Sequence, residues 1–207
     1  MRLLSIALTA LLLLASPVPL ASLADAAPLS ISDREDIARA EAYLNKITTL
    51  KADFLQIDAE GRFAKGVLRI NRPGRARFEY KPPAQILIVA DGTWLVFYDK
   101  ELEETTRIPL YSTPISVILK SKVQLDGDVT VVSVEKDGGI LRINIIDTNA
   151  PDEGGLTLVF TLRPFELRKW LVTDPQGKTT SVSISNVEEG LSFKPELFVF
   201  GNDYYDD

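Results

Sequence analysis

The sequence predicts one domain of mainly antiparallel β structure, with about ten strands and two or three short helices. Three observations lead to this prediction. Most segments alternate between apolar and polar residues, as a strand with one buried and one solvated face does. The connections between them are short and rich in Gly, Pro, Asp and Asn, which favours hairpins. With 207 residues, 45% of them hydrophobic, the chain is also long enough for a sizeable core.

Residues 1–26 have the pattern of a cleaved secretory signal peptide. Arg2 supplies a positive charge, an apolar run follows it, and Ala24–Ala26 (ADA) forms a small-x-small cleavage site. A membrane anchor is the alternative, but the apolar run is short and prolines interrupt the residues after it. We therefore expect an exported periplasmic protein whose mature domain covers residues 27–207.

An amphipathic helix opens the mature domain. Ser32–Glu35 (SDRE) matches a capping box, in which the Ser side chain and the Glu side chain satisfy each other's backbone amides. Behind it, Ile37, Ala40, Leu44 and Ile47 fall at helical spacing. The sequence therefore predicts a helix of about four turns with one apolar face.

Five strands are predicted after this helix. Pro82 and Pro83 end the third of them, and Asp91-Gly92 is a hairpin signal before the fifth. Because every connection is short, these strands should form an antiparallel meander. The predicted strands are Leu50–Asp58, Lys65–Asn71, Arg75–Lys81, Gln85–Ala90 and Thr93–Asp99.

A second, shorter helix is predicted within Ser112–Ser121. Thr113 is a suitable N-cap and Pro114 a suitable first helical residue. Further strands should follow, at Lys122–Gly139, Ile140–Asp147, Leu156–Leu162, Glu166–Asp174, Thr179–Val187 and Leu197–Phe200. A sheet of this size must curl, close or split. A closed barrel and a half-open barrel with helices across its mouth both fit the pattern.

The composition excludes much catalytic chemistry. The chain contains no cysteine and no histidine, so it cannot build a Cys-His or Ser-His triad. The formal net charge is −6, which disfavours binding to nucleic acid. Asp126–Asp128 (DGD) lacks the spacing of a calcium loop, and no phosphate-binding loop is present. We therefore predict that the protein is not an enzyme and uses neither a metal nor a cofactor.

One parity of the predicted strands carries large apolar side chains that would share a concave surface with the second helix. An ordinary packed core is the alternative. Arg72 has the same parity as Leu68 and Ile70, so it takes a position where an apolar residue is expected. The alternative is that Arg72 is a rim residue in water. The concave set comprises Phe54, Leu68, Ile70, Phe78, Tyr80, Ile86, Ile88, Trp94, Val96, Tyr98, Ile115, Ile118 and Leu119.

Several stretches resemble one known family. They are LKADFLQ, GVLRINRPGRARFEYKPP, ILIVADGTWLVFYDKELEETTRIPLYSTPISVIL and LVTDPQGKTTSVSISNV followed by LFVF. Together they resemble the periplasmic outer-membrane lipoprotein carriers, the LolA family. The resemblance implies a half-open, strongly curved antiparallel β-barrel with a short helical lid over an apolar cavity.

The resemblance also implies a function and a role for single residues. Members accept acylated lipoproteins from an inner-membrane ABC exporter and pass them to an outer-membrane acceptor, so we expect a monomeric carrier. The concave set would then hold acyl chains, and Arg72, which precedes Pro73, would latch the lid. Ala76 departs from the family, which often has a bulky apolar residue there. A carrier of free lipid or glycolipid and an envelope-stress sensory half-barrel are the alternatives.

Overall fold

The computed structural model describes residues 28–201, so the predicted signal peptide lies outside the described residues. An eleven-stranded antiparallel sheet forms most of the structure. The helices are α1 (Ile31–Lys46) and the short α2 (Ser116–Leu119), with 3₁₀ turns at Leu110–Ser112, Pro151–Glu153 and Pro195–Phe198. The strands are β1 (Thr49–Ile57), β2 (Phe63–Asn71), β3 (Arg75–Tyr80), β4 (Ile86–Asp91), β5 (Trp94–Asp99), β6 (Glu104–Pro109), β7 (Val129–Asp137), β8 (Ile140–Asp147), β9 (Gly155–Leu162), β10 (Phe165–Thr173) and β11 (Thr179–Glu189).

The sheet consists of two meanders that share one seam. Strands β1 to β6 form the first meander, β7 to β11 form the second, and β1 pairs with β11 between them. Consequently β6 and β7 are the two free edges, and the chain between them, residues 110–128, must cross from one edge to the other. We call residues 110–128 the lid segment. The prediction of a mainly β, half-open antiparallel architecture is confirmed.

Helix α1 packs on the concave face of the second meander. Ala40 and Leu44 are buried there, and Tyr43 makes edge-to-face contacts with Phe160 and Phe165, at ring-centroid distances of 5.9 Å and 5.8 Å. The capping box lies earlier than predicted, because Ser30 Oγ accepts from the Asp33 amide and Asp33 Oδ2 accepts from the Ser30 amide. The helix therefore begins at Ile31, and the predicted cap at Ser32 is wrong.

Three other local predictions are wrong. Strand β6 was not predicted, because its residues are almost all exposed and carry no apolar alternation. Leu197–Phe200 was predicted as a strand, but the chain there forms the 3₁₀ turn Pro195–Phe198, whose Leu197 and Phe198 are buried. In the second helix, Thr113 does not cap; its hydroxyl donates to the Leu110 carbonyl instead.

The C-terminal 3₁₀ turn covers the convex face of β3 and β4. Its Leu197 carbonyl accepts from Arg77 Nη1 at 3.1 Å, and Arg77 also pairs with Glu79. Beneath it, Val89 and Val96 are almost completely buried. The sheet therefore has apolar packing on both faces of the first meander, and only the concave face continues into the main core. None of the described helices is both long enough and apolar enough to span a bilayer.

Candidate functional site

A hollow of about 960 Å³ lies under the lid segment, at the end of the sheet where β2, β4 and β8 terminate. The lid segment forms one wall, and the ends of β8 and β9 form the other. Its apolar lining continues into the main core. The buried apolar residues of the lining are Leu110, Val117, Leu119, Val129, Ile145 and Leu156.

Polar groups occupy the rim of the hollow. Lys120 Nζ lies 2.8 Å from Asp128 Oδ2, and this hydrogen bond with its charge attraction holds the pKa of Asp128 below its usual value. Asp147 and Glu153 stand on the opposite wall. An apolar floor with a charged rim suits a molecule that has an apolar body and a polar end.

Tight backbone packing shapes this end of the sheet. Gly154 has φ +100°, and a Cβ there would lie 2.0 Å from the Thr173 carbonyl oxygen. Gly74 has φ +73°, and a Cβ there would lie 2.8 Å from the Cα of Gly92. The Gly74 amide also donates to the Leu119 carbonyl at 2.8 Å, so the β2–β3 turn holds the end of α2 directly.

Arg72 joins the two helices at this end of the sheet. Its Nη1 donates to the carbonyls of Leu44 and Ile47 at the end of α1, at 2.5 Å and 2.9 Å. Its Nε donates to the Lys120 carbonyl at 2.7 Å, and its Nη2 to the Ser121 carbonyl at 3.2 Å, just after α2. Helix ends leave carbonyls of this kind without i+4 partners, although the Leu44 carbonyl also accepts from the Ile47 amide at 3.2 Å. A fifth bond reaches the Asn45 side chain.

All five of these acceptors of Arg72 are uncharged oxygen atoms. Burial lowers the pKa of Arg72 from its ordinary value. The guanidinium stays charged at neutral pH because its unperturbed pKa is so high. The helix ends supply partial negative charge where Arg72 meets them, which offsets the cost of burying it. These contacts agree with the predicted lid contacts, and the latch itself remains a prediction.

Two α1 side chains that the sequence did not single out also hold the lid segment. Asn45 accepts from the Val123 amide at 2.8 Å and donates to the Val123 carbonyl at 2.9 Å, as a neighbouring strand would. Glu41 accepts from the Leu125 amide at 2.7 Å. Both residues lie on the polar part of the predicted helix, where a solvated side chain is the ordinary expectation, so the pattern gave no signal for them.

Five predicted cavity residues lie in the packed core and do not line the hollow. Phe54 is at its centre, with ring-centroid distances of 5.5 Å to Phe78 and 4.9 Å to Tyr80. Leu68 and Ile70 are buried beside them. Burial raises the pKa of Tyr80 to about 12, and its hydroxyl donates to Gln56 Oε1 at 2.6 Å. This part of the concave surface is therefore an ordinary core.

The predicted orientation of Trp94, Val96 and Tyr98 is wrong. The pairing of β4 with β5 sets Ile88 opposite Phe97, and Ile88 lies opposite the core residue Phe78 on β3. Directly paired residues share a face of the sheet, so Trp94, Val96 and Tyr98 belong to the convex face. Val96 is buried under the C-terminal turn, Tyr98 contacts the Phe200 ring, and Trp94 reaches only the rim of the hollow.

The concave face of β4 to β6 therefore carries a different set of side chains. Two of them, Phe97 and Ile108, remain 38% and 42% exposed. Leu95 and the predicted residues Ile86 and Ile88 are partly buried against the core. We call this set the open concave patch: Ile86, Ile88, Leu95, Phe97 and Ile108.

The predicted residues of the second helix divide between core and hollow. Leu119 is buried and lines the hollow. Ile118 is buried in the core cluster, and Ile115 packs against it while partly exposed. Two side chains of α2, Ile118 and Leu119, therefore cover the interior, and Ile115 just before the helix does so only in part.

Comparison with known proteins identifies the family. The family model of the outer membrane lipoprotein carrier protein LolA matches residues 45–201. The chain belongs to the LolA family. The outer-membrane lipoprotein carrier protein of Methylococcus capsulatus is 29% identical over 184 residues, which cover 82% of this chain and 87% of that protein. The outer-membrane lipoprotein carrier protein of Nitrosomonas europaea is 27% identical over 169 residues, covering 77% of this chain and 82% of that protein.

A solved structure adds a likeness of lower strength. The LolA superfamily protein from Nitrosomonas europaea is 9% identical to this chain, with a TM-score of 0.45. The match covers 79% of this chain and 97% of that protein.

Ala76, which the resemblance marked as a departure from the family's usual bulky residue, is buried. Ala76 is fully buried on the concave face, between Ile70 on β2 and Ala90 on β4. Because Ala76 and Ala90 are neighbours with small side chains, little side-chain bulk rises above the sheet here, close to the β2–β3 turn that binds the end of α2. A bulky residue at position 76 would have to displace its neighbours, because the core around it is close-packed.

Proposed function

We propose that this chain is a periplasmic carrier that binds the acyl chains of lipoproteins and delivers them to an outer-membrane acceptor. The single observation that carries the proposal is the apolar hollow under the lid segment, with charged groups at its rim. An acyl chain would occupy the hollow, and the polar end of the molecule would remain among the rim residues. The names of the relatives in the LolA family support the same cargo class.

The energetics of acyl burial explain why the lid segment should be held by bonds that can be exchanged. Burying a methylene contributes about 0.8 kcal/mol, so a chain with roughly 14 buried methylenes gains about 11 kcal/mol before costs. Release into water would then be too slow for a carrier. Hydrogen bonds of Arg72 that break when cargo enters would offset part of this gain.

Transfer must be driven by the partners under this proposal. We propose that cargo comes from an inner-membrane ABC exporter and leaves by direct docking to an acceptor whose site binds the acyl chains more favourably. An acidic chain with a net charge of −6 suits reversible docking on basic surfaces, because charge speeds encounter more than it tightens the complex.

Saturable binding of a fluorescent long-chain acyl compound to the mature protein tests the proposal. We expect one saturable site, and we expect Leu156→Phe to weaken binding because the larger side chain fills the hollow. Arg142→Phe is the matched control, since Arg142 lies on the convex face of β8 and leaves the hollow unchanged. Absence of saturable binding would contradict the carrier function.

Mass spectrometry of the molecules that co-purify from the native compartment distinguishes the kinds of cargo. Acylated peptides would support the lipoprotein cargo. Free lipid or glycolipid as the bound species would support the alternative cargo instead. Recovery of an envelope signalling protein with no lipid would favour the sensory alternative.

A further inference from the structure

We propose that the free edge of β6 pairs with the extended polypeptide that follows the acylated end of the cargo. The inference rests on the proposed function and assigns a second contact to the same cargo. In it, the acyl chains occupy the hollow and the first residues of the cargo polypeptide add a strand to the sheet. Main-chain hydrogen bonds would provide the contact, so cargoes of different sequence could all use it.

The two free edges of the sheet differ in how well they are protected. Strand β7 contains a register shift between Val131 and Ser133, and Lys136 on it forms an ion pair with Asp36 of α1. Bulges and covering elements are the usual protection of a sheet edge. Strand β6 pairs with β5 in continuous register over all six residues, and its first five residues are exposed. In the described part of the chain no other strand pairs with β6.

The pairing with β5 fixes which main-chain groups of β6 are available. The Leu110 amide donates to the Thr93 carbonyl at 2.9 Å, just beyond the ladder. In an antiparallel pair, the residues that bond the partner alternate with residues whose groups face away. Ile108 and Thr106 therefore bond β5, whereas the N–H and C=O groups of Arg107 and Thr105 face outward.

The position of β6 relative to the hollow decides the occupant and its direction. The strand ends at Pro109, and Pro109, Leu110 and Tyr111 all line the hollow. The side chain of Tyr111 is 81% exposed at this point. A polypeptide whose acylated first residue sits at the rim would leave from Pro109 and run toward Glu104, antiparallel to β6. At about 3.4 Å per residue, roughly six cargo residues would span the strand.

Hydrogen exchange of the Thr105 amide tests the pairing. We compare a lipopeptide, in which an acylated cysteine precedes about ten residues, with the same acylated cysteine without the peptide. Because the Thr105 amide faces outward, it should exchange fast in the free protein. The lipopeptide should slow this exchange about tenfold or more, and the acylated cysteine should leave it unchanged.

The other outcomes of this comparison separate the two proposals. If both ligands bind and neither slows the exchange, the edge-pairing inference is overturned while the carrier function stands. If neither ligand binds, the carrier function fails as well. Without ligand, the Thr105 amide could also exchange slowly, and more slowly at higher protein concentration. That result would show that a second copy of this chain occupies the edge, which also overturns the inference.

A pair of substitutions at Arg107 isolates the main-chain contact. Arg107→Pro removes an outward N–H, while the bonds between β6 and β5 are kept, as proline on an edge strand allows. Arg107→Val is the matched control, because it removes the same side chain from its place near the Phe200 ring but keeps the N–H. We expect the lipopeptide to dissociate about fivefold faster from Arg107→Pro than from Arg107→Val. Equal dissociation rates in the two variants would contradict pairing at this amide.

Discussion

The two meanders of the sheet are built from similar hairpins, yet they bury their concave faces to different extents. In the second meander, Leu141, Ile143, Leu158 and Phe160 are completely buried in the core that α1 covers. In the first meander, the open concave patch keeps part of its apolar surface in water, and Phe97 and Ile108 are the most exposed of its members. The concave face of the second meander is therefore a complete core, as is that of β1 to β3, whereas the concave face of β4 to β6 is a partly open apolar surface that a ligand could cover.

The difference suggests that the closed part of the sheet provides stability and the open part provides surface for a ligand. Apolar surface left in water forgoes about 25 cal/mol for each Å² that burial would provide. A protein that keeps such surface beside a hollow can recover this free energy only when a ligand covers it. The second meander and α1 supply the stability that makes this possible, so the two halves should respond differently to the same kind of substitution.

Truncation of the complete core should have the largest effect. Phe160 is fully buried and its ring stacks on Phe165 at a centroid distance of 5.1 Å. Phe160→Ala should lower the free energy of unfolding by about 3–5 kcal/mol, because it removes apolar contacts and leaves a cavity. Urea unfolding of the mature protein measures this. A loss below about 1 kcal/mol would mean that α1 is not packed as tightly as the comparison requires.

The packed core of the first meander should lose stability at alkaline pH because of Tyr80 on β3. Tyr80 is neutral in both the folded and unfolded states below pH 10, and its folded pKa is raised to about 12. Between these values the unfolded state loses its proton first, so stability should fall as pH rises, by a total of about 2–3 kcal/mol. Tyr80→Phe should remove this part of the decline. The measurement is the difference in unfolding free energy between wild type and variant at pH 8 and pH 11.

That difference should change between the two pH values if Tyr80 is buried as described. Because lysines also titrate in this range, only the difference between the two proteins is informative. A difference that stays constant from pH 8 to pH 11 would indicate that the Tyr80 hydroxyl is solvated in the folded protein.

Loss of the Arg72 bonds should have an intermediate effect on stability and a clear effect on the lid segment. Arg72→Leu leaves the carbonyls of Leu44, Lys120 and other acceptors without this donor, and water can reach some of them. We expect the protein to fold, with about 2 kcal/mol less stability. Amide exchange in the lid segment should become faster, and retention of the acyl compound should change.

Arg72→Lys controls for the charge in this experiment. A single ammonium group cannot bond the ends of both helices as the guanidinium does, so its lid segment should also exchange faster than in wild type. If Arg72→Leu leaves the exchange of the lid segment, the loading and the transfer to an acceptor unchanged, the latch hypothesis is wrong.

The sequence predicted the elements of the second meander better than it predicted which face of each strand is exposed. The alternation in β8 and β9 pairs one apolar face with a more polar one, so the buried side was readable from the residues. In β5 both parities are apolar, because Trp94, Val96 and Tyr98 alternate with Leu95 and Phe97. Alternation with a period of two therefore cannot show which face of β5 is concave, whereas the pairing register with β4 does.

The sequence predicted a set of cavity residues, but of that concave set only Trp94 and Leu119 line the hollow. Most of its apolar lining comes from the lid segment and from the ends of β8 and β9, which lie far apart in sequence. Nothing in the local pattern of Ile145 or Leu156 distinguishes them from core residues deeper in the sheet. Only the path of the lid segment between the two free edges brings these side chains together.

The smallest effect on stability should come from the open concave patch. Because the Phe97 side chain is 38% exposed, Phe97→Ala should cost less than about 1 kcal/mol of unfolding free energy. If the patch receives acyl chains, the same substitution should weaken binding of the acyl compound about threefold to tenfold, since less apolar surface is covered on binding. Tyr98→Ala is the control on the same strand, because Tyr98 contacts Phe200 on the convex face. A binding loss that is equal in both variants, or absent from Phe97→Ala, would confine the acyl chains to the hollow and leave the exposure of the patch without a role in cargo binding.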